Sequence, residues 1–426
     1  MRSTFSGLNA VMRGMAVQQV GLDTVGHNIA NASTVGYSRQ VVTTSTTRPE
    51  LIYGTNGPMY IGTGVTVESI TRARDTFIDH QLWKELASLG YGEMAQDTLS
   101  KIEGVFSEPK ETGIQSVLNY FWEAWQTLGV NASDNGARIT VRQRGVELVD
   151  AIQHAREQLR DMIYDINTVV EIKVNNINQI CAEISSLNNQ IAHVEFVGAQ
   201  ANDLRDRRDA LVDELAKLTK VSVYEDKQGN YIIQTAGVTI VDSLGYVKLA
   251  CVDDLTGELN TQYGYISKMV VVEGMTQPLN ITSGELGGLL KARDVDIEGY
   301  LDKLATISKF LLTEFNAVHE AGYGLDDSTG IRFFGQQDDD FSTFTRMGDW
   351  LNALAVNKLL FEPESGLLKI AARSSLDQGG ASGDNAIALA NRLKLDQSDM
   401  LGKASLDTYY TTIIGQLGVD TQNAKR

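Results

Sequence analysis

The sequence predicts a multidomain α+β chain, in which an elongated domain of long, coiled-coil-like helices carries a small inserted β domain. Three observations carry that prediction. Apolar residues recur at spacings of three and four along residues 148–194, far beyond an ordinary globular helix. Between residues 221 and 281 the period drops to two, in short β-branched runs divided by turn residues. The 426 residues include only five prolines, which suits helices left uninterrupted.

Length and composition narrow the field. A chain of 426 residues allows two to four domains. The formal net charge of -17 argues against a general nucleic-acid binder, which would need Lys and Arg to neutralise phosphates. Two distant cysteines, Cys181 and Cys251, make neither a disulfide framework nor a zinc site and read as buried or partly buried thiols. No stretch approaches the ~18 consecutive apolar residues of a membrane helix, so no membrane insertion is expected. The first residues carry Arg13 and polar groups where a signal peptide needs an apolar core. The chain is therefore read as cytoplasmic, or as exported without a cleaved signal.

Residues 4–30 read as one amphipathic helix. Phe5, Leu8, Met12, Met15, Leu22 and Ile29 form a stripe, with Gln19 and Gly26 at its two other positions. So narrow a stripe is a seam for a partner helix. Turn formers Asn28, Asn31, Ser33, Thr34 and Gly36 end it. Residues 37–72 look extended, and helix resumes near Asp75. In the long helix, Leu148, Ile152, Ala155, Leu159, Met162, Ile166 and Val169 hold one phase. Ile177, Ile180, Ile184, Leu187, Ile191 and Val194 hold another, with a slip near Val170 and Val174. The length expected is roughly 70 Å. Its other faces are rich in Asn and Gln, including Asn178 and Asn188. After a turn at residues 196–201, residues 202–218 return as a second helix, making an antiparallel hairpin. The β domain follows, then helix over 286–318, a Gly- and Asp-rich stretch over 322–340, and a last apolar stripe (Leu406, Tyr410, Ile413, Leu417) over 406–426.

Catalytic signatures are not found: there is no phosphate-loop, HExxH or GxSxG pattern, and the five histidines have no metal-ligand spacing. Asp338-Asp339-Asp340 reads as a solvated acidic loop, and Asp326 to Gly330 as a turn, because calcium loops need staggered ligands. The dense run Asp203, Arg205, Asp206, Arg207, Arg208, Asp209 reads as a solvated helical face with local ion pairs, ahead of a nucleotide or phosphate site. No catalytic, cofactor-binding or metal residue is assigned, and no cofactor is expected.

Residues 24–40, with Asn28, Asn31, Gly36, Tyr37 and Arg39, resemble the N-terminal signature of flagellar axial proteins (rod, hook and hook-associated). Ser38 and Arg39 after the tyrosine resemble the branch that joins hook to filament rather than the hook subunit. More matches follow in the family's order. Gly62-Thr63-Gly64-Val65 precedes Arg72, Asp75 and Phe77. Phe106-Ser107-Glu108-Pro109 precedes Thr112-Gly113. Asn-rich heptads over 175–190 are followed by Asn202-Asp203-Leu204 and Arg208-Asp209. A Gly284-to-Leu290 run leads to Arg293-Asp294, Phe315-Asn316 and His319, and Gly383-Asp384-Asn385 comes near the end.

The resemblance implies a structural subunit, not an enzyme. It implies export in unfolded form through the flagellar type III apparatus, assembly at the hook tip, and a final place in the extracellular flagellum. The implied partners are further copies of the chain in a ring-like oligomer, the hook protein, a second junction protein leading to the filament, and an export chaperone. The family's C-terminal helix, which pairs with the N-terminal one and is held by the chaperone, is expected to be missing here. The N-terminal stripe is then expected to be disordered in the free chain and ordered in the polymer. The segments are read as 1–45 (N-terminal helix and motif of the inner core), 46–220 (long-helix domain, first part), 221–283 (inserted β domain) and 284–426 (long-helix domain, second part). The alternatives are a rod or hook subunit of the same family, or a coiled-coil tethering or signalling protein.

Overall fold

A computed structural model of the chain describes residues 5–54, 57–106 and 113–425. Thr4, Ser107, Glu108, Pro109, Thr112 and Arg426, which figure in the sequence reading, lie outside the described residues. In chain order the elements are α1 (Ser6–Ala30), β1 (Gln40–Thr46), β2 (Glu50–Gly54), β3 (Gly57–Ile61), β4 (Val65–Arg72), α2 (Thr76–Phe106), α3 (Ile114–Val130), α4 (Asn135–Phe196) and α5 (Asn202–Leu218). Then come β5 (Ser222–Glu225), β6 (Tyr231–Thr235), β7 (Val238–Val241), β8 (Leu249–Asp254), α6 (Glu258–Tyr263) and β9 (Ser267–Val272). The rest is helical: α7 (Gly284–Lys291), α8 (Glu298–Phe310), α9 (Asn316–Ala321), α10 (Met347–Ala353), α11 (Asp384–Lys394) and α12 (Leu406–Ala424). The α+β class is borne out, with long helices and a few small sheets.

Tertiary contacts group the chain into two compact units. One comprises Met1–Gly90, Lys173–Ala250 and Val272–Gly284; the other comprises Tyr91–Ile172, Cys251–Val271 and Glu285–Arg426. This grouping cuts across the segment 221–283, whose residues are shared between the two. The region also contains the short helix α6, six residues long, which is too brief for a periodicity argument to detect.

In the first unit, β1 and β4 form an antiparallel ribbon from Gln40↔Arg72 to Thr46↔Val65, with a bulge at Thr43/Thr44. α1 packs on this ribbon, and β2–β3 is a separate hairpin. β5, β6 and β7 make an antiparallel three-stranded sheet. Its β6–β7 turn has two residues, Ala236 at φ 47° and Gly237 at φ 80°. Positive φ at both positions is the type I′ geometry that matches strand twist and favours Asn-Gly. A Cβ-bearing alanine is strained there, by about 1–2 kcal/mol. Ala236→Asn is therefore expected to stabilise this unit by roughly 0.5–1 kcal/mol, read as a higher urea midpoint at unchanged slope.

α4 has 62 residues and starts well before Leu148. Its buried seam differs in detail from the heptad reading. Ile163 and Val170 are buried, whereas Met162 and Val169 are half-buried. The seam Leu159, Ile163, Ile166, Val170, Val174, Ile177, Cys181, Ile184 thus advances at close to 3.6 residues per turn, and the helix absorbs the slip without a break.

Some of its asparagines are not outward-facing. In the first unit Asn178 gives its amide to Leu249 O (2.8 Å) and accepts from Leu249 N (2.8 Å). Asn188 does the same with Tyr231 O (2.9 Å) and Tyr231 N (3.1 Å). In the second unit Asn167 bonds Ile266 O (2.9 Å) and Lys268 N (3.1 Å). A carboxamide carries the same donor and acceptor as a peptide group, so these side chains extend strand hydrogen bonding onto the helix surface. The hairpin of the first unit forms as expected, with α5 over Asn202–Leu218.

In the second unit, α7, α8 and α9 make one helical run with two π-helical segments, Ala292–Ile297 and Leu311–Phe315. Its core side presents Ile297, Leu301, Leu304, Leu311 and Phe315. Phe315 joins Phe121, Trp125, Phe333 and Phe334 in an aromatic cluster with ring centroids 4.8–6.0 Å apart. His319 is buried against it. One ring nitrogen, Nδ1, lies 2.7 Å from Ile331 O and so donates; the other, Nε2, accepts from Ala371 N (3.1 Å).

Burial pushes the His319 pKa down to about 4. Its unfolded value is near the usual ~6.5, so the unfolded chain binds the proton more readily. Stability is therefore complete above pH ~6.5 and is lost as pH falls toward 4, by about 3 kcal/mol for this group alone. The urea midpoint should fall between pH 7 and 5, and His319→Asn, which cannot titrate, should flatten that slope while costing stability at every pH.

Candidate assembly site

The predicted stripe lies on α1, and the structure leaves it exposed. Phe5, Leu8, Met12, Met15, Leu22 and Ile29 retain 56–72% of their accessible surface. In the structure α1 is a helix that packs on its own unit. It docks through a different side: Val17 and Thr24 are buried, and Arg13 Nη1 donates to Thr63 O (3.2 Å). Gly64, at φ +118°, lets the ribbon approach; a Cβ there would stand 3.3 Å from Ala10 Cα. One face of α1 thus serves its own unit while the stripe stays in solvent.

The motif residues follow the helix. Asn28 Oδ1 accepts from Tyr37 Oη (2.7 Å) and Gln40 N (2.8 Å), and its amide donates to Gln40 O (2.9 Å). This carboxamide ties the end of α1 to the start of β1. Asn31 caps the helix by donating to His27 O (3.1 Å). Gly36, at φ +80°, lies so close to α5 that a Cβ would meet Ala210 Cβ at 2.9 Å. The Tyr37 hydroxyl is held above its ordinary pKa by burial and by the charges of Asp203 and Asp206. Arg39 is exposed, and its carbonyl accepts from Ala73 N (2.8 Å).

The charged run 203–209 is largely not a solvated face. Asp206, Arg208 and Asp209 are buried. Asp209 accepts from Arg72 (2.6 Å) and from Tyr231 Oη (2.7 Å), with Arg74 at 3.3 Å. Asp206 accepts from Arg72 (2.8 Å) and from Ser38 N (3.0 Å). Burial opposes the charge of Arg72, but Asp209 and Asp206 outweigh it and hold the guanidinium above its ordinary value. Arg208 stacks on the Tyr231 ring (3.5 Å to the centroid) and donates to Asn188 Oδ1 (2.9 Å) and Gly229 O (2.7 Å). Only Arg207, paired with Glu183, keeps the surface geometry first read for the run, and Asp203 is exposed beside it. The run alternates residues for the surface with residues for the interior, and spacing alone does not show that Arg72, at the end of β4, and Arg74, just after it, will meet it.

Comparison with known proteins agrees with this layout. A model of the flagellar hook-associated protein FlgK helical domain matches residues 99–334, more than half of the chain. Flagellar hook-associated protein 1 of Bacillus subtilis is 31% identical over all of this chain and 87% of its own length. The chain belongs to the flagellar hook-associated protein 1 family. A second model, that of flagella basal body rod proteins, matches residues 8–37, the stretch that holds α1 and the motif. The Salmonella typhimurium hook-associated protein 1 is 32% identical over 77% of this chain, which spans 59% of that relative. The flagellar hook junction protein FlgK of Burkholderia pseudomallei superposes with a TM-score of 0.52 over 60% of this chain and 46% of the other, at 24% identity, and so supports the fold.

Elsewhere in this hook-associated protein 1 family member, the acidic loops behave as turns. Asp326 accepts from Ser328 N (3.1 Å), Asp339 from Gln336 N (2.7 Å) and Asp340 from Ser342 N (3.0 Å). Among the described residues no group of three or more His, Cys, Asp or Glu is arranged to hold a metal ion. Cys181 is buried and its thiol is pushed up to about 12; Cys251, half-buried, is raised to about 11, both by burial. No described helix is long and apolar enough to cross a membrane.

Proposed function

We propose that this chain is a structural subunit of the hook–filament junction of the bacterial flagellum, and that the stripe of α1 is its assembly surface. The exposed stripe carries the reading: six large apolar side chains at helical spacing stay in solvent while another face of the same helix packs on its own unit. Within that reading Phe5, Leu8, Met12, Met15, Leu22 and Ile29 meet neighbouring helices in the assembled structure. Asn28, Asn31, Gly36, Tyr37 and Arg39 shape the loop that presents them. The partners are further copies in a ring, the hook protein, and a second junction protein toward the filament. Export proceeds with a chaperone, to the extracellular flagellum. The chain acts as a building block rather than a catalyst, and takes no cofactor. The segments read from the sequence, an inner-core segment to residue 45 and a long-helix domain resumed from 284, describe the proposed layout.

The test is electron microscopy of cells lacking the gene, with flagellin assayed in the medium. Hooks without filaments, together with flagellin lost to the medium, are the expected result. Missing hooks would move the chain to the rod or hook, and normal filaments would contradict a junction role.

A further inference from the structure

An assembly face works only if it is aimed, and in the first unit α5 supplies contacts that aim it. Asp206, one turn into α5, accepts from Ser38 N through Oδ2 (3.0 Å) and from Arg72 through Oδ1 (2.8 Å). Asp203, in the first turn, accepts from Gln40 Nε2 (2.9 Å) and lies 3.6 Å from His27 Nε2 at the end of α1. Asn202 donates to Ile70 O (2.7 Å). Three neighbouring residues therefore grip the helix end, the motif loop and β4. The grip reaches α1 through a stiff link, because Gln40 is held at both its N–H and C=O by Asn28. Gly36 seats the loop on Ala210.

We propose that Asp203 and Asp206 are positioning residues that anchor the motif loop, and with it α1, to α5 in the orientation assembly requires. The proposal rests on the junction reading above. Without the anchor, α1 keeps its docking on the β1–β4 ribbon, through Val17, Thr24 and the Arg13–Thr63 bond. Helix and ribbon then loosen together against α5 about the Arg72–Asp209 and Asn202–Ile70 bonds that remain. That distinguishes a lost anchor from general loosening.

The full-length chain, with Cys181 and Cys251 replaced by alanine, is spin-labelled in two pairs at exposed sites. Gln18→Cys with Glu214→Cys spans α1 and α5. Gln18→Cys with Thr66→Cys spans α1 and the ribbon. In the Asp203→Ala/Asp206→Ala variant, the first distance distribution should broaden roughly twofold or more while the second stays as in the parent. Cells carrying the same two substitutions without labels should lose attached filaments at least about fivefold. Asp203→Asn alone keeps an acceptor for Gln40 and should stay near the parent in both readouts. Because Asp206 is buried, Asp203→Ala/Gln40→Ala, confined to exposed groups, serves as the second variant, with smaller changes in the same direction. An unchanged first distribution, broadening of both pairs together, or broadening with filaments retained would each overturn the anchor. If the deletion strain keeps its filaments, the junction reading falls on its own, and the two distances still decide whether the anchor exists.

Discussion

Replacing Asp209 by alanine is expected to destabilise the first unit by about 3–5 kcal/mol. Asp209 is fully buried and holds three partners: Arg72 (2.6 Å), Arg74 (3.3 Å) and the Tyr231 hydroxyl (2.7 Å). Removing it strips one of two carboxylates from Arg72, which keeps Asp206, and from Arg74, which keeps Asp79, and leaves a buried hydroxyl without its acceptor. The loss exceeds the net worth of the pair, because the site is shielded from water and the lost partners are not replaced by solvent. Asp209→Asn keeps the shape and one acceptor and should cost less, roughly 1–3 kcal/mol. On α4, Glu183→Ala removes only the partner of exposed Arg207 from that run and should cost less than about 1 kcal/mol. Urea titrations of the three variants check this order; equal costs for Asp209→Ala and Glu183→Ala would contradict the buried network.

The largest functional effect is expected from Met15→Asp combined with Leu22→Asp. Both side chains are more than half exposed on α1, so folding of the free chain should change by no more than about 0.5 kcal/mol per site. In the assembled flagellum the same positions would place two carboxylates inside an apolar contact, at a cost of several kcal/mol each unless they are neutralised. The expected phenotype is that of the deletion: hooks present, filaments absent, flagellin in the medium. Thermal unfolding of the purified variant should match the parent. Normal filaments in the variant strain would remove the stripe from the assembly surface. A carboxylate on the docked side of α1, as in Val17→Asp, should instead lower stability, since Val17 is buried.

The parts of this fold that are legible in the sequence are those governed by local periodicity. α1, α5 and α12 follow from stripes and turn residues, and the strands of β5–β7 from a period of two. The parts that are not legible depend on pairing between distant residues. Nothing near Asp209 in the chain announces Arg72, Arg74 or Tyr231, so a run that looks like a solvated face is in fact half interior. The asparagines of α4 mislead for the same reason. Asn188 looks polar and outward until Tyr231 arrives to take both ends of its amide. The heptad reading placed Met162 and Val169 in the seam because it imposed a period of 3.5, whereas the buried residues advance nearer 3.6. At the assembly site the exposed stripe was legible, but the side by which α1 docks on its own unit was not. Val17 and Thr24 make an unremarkable pair until the β1–β4 ribbon covers them.

The central claim, that the α1 stripe is covered on assembly, is tested most directly by the native methionines. Met12, Met15 and Met275 are all exposed in the free chain, and peroxide converts exposed methionine to the sulfoxide. Mass spectrometry of the free chain and of isolated hook–filament particles gives the rate at each position. The account predicts that Met12 and Met15 oxidise at least about tenfold more slowly in the particles than in the free chain, judged against Met275, in the connection between β9 and α7, as an internal reference. Equal rates at Met12 and Met15 in the two states would contradict it.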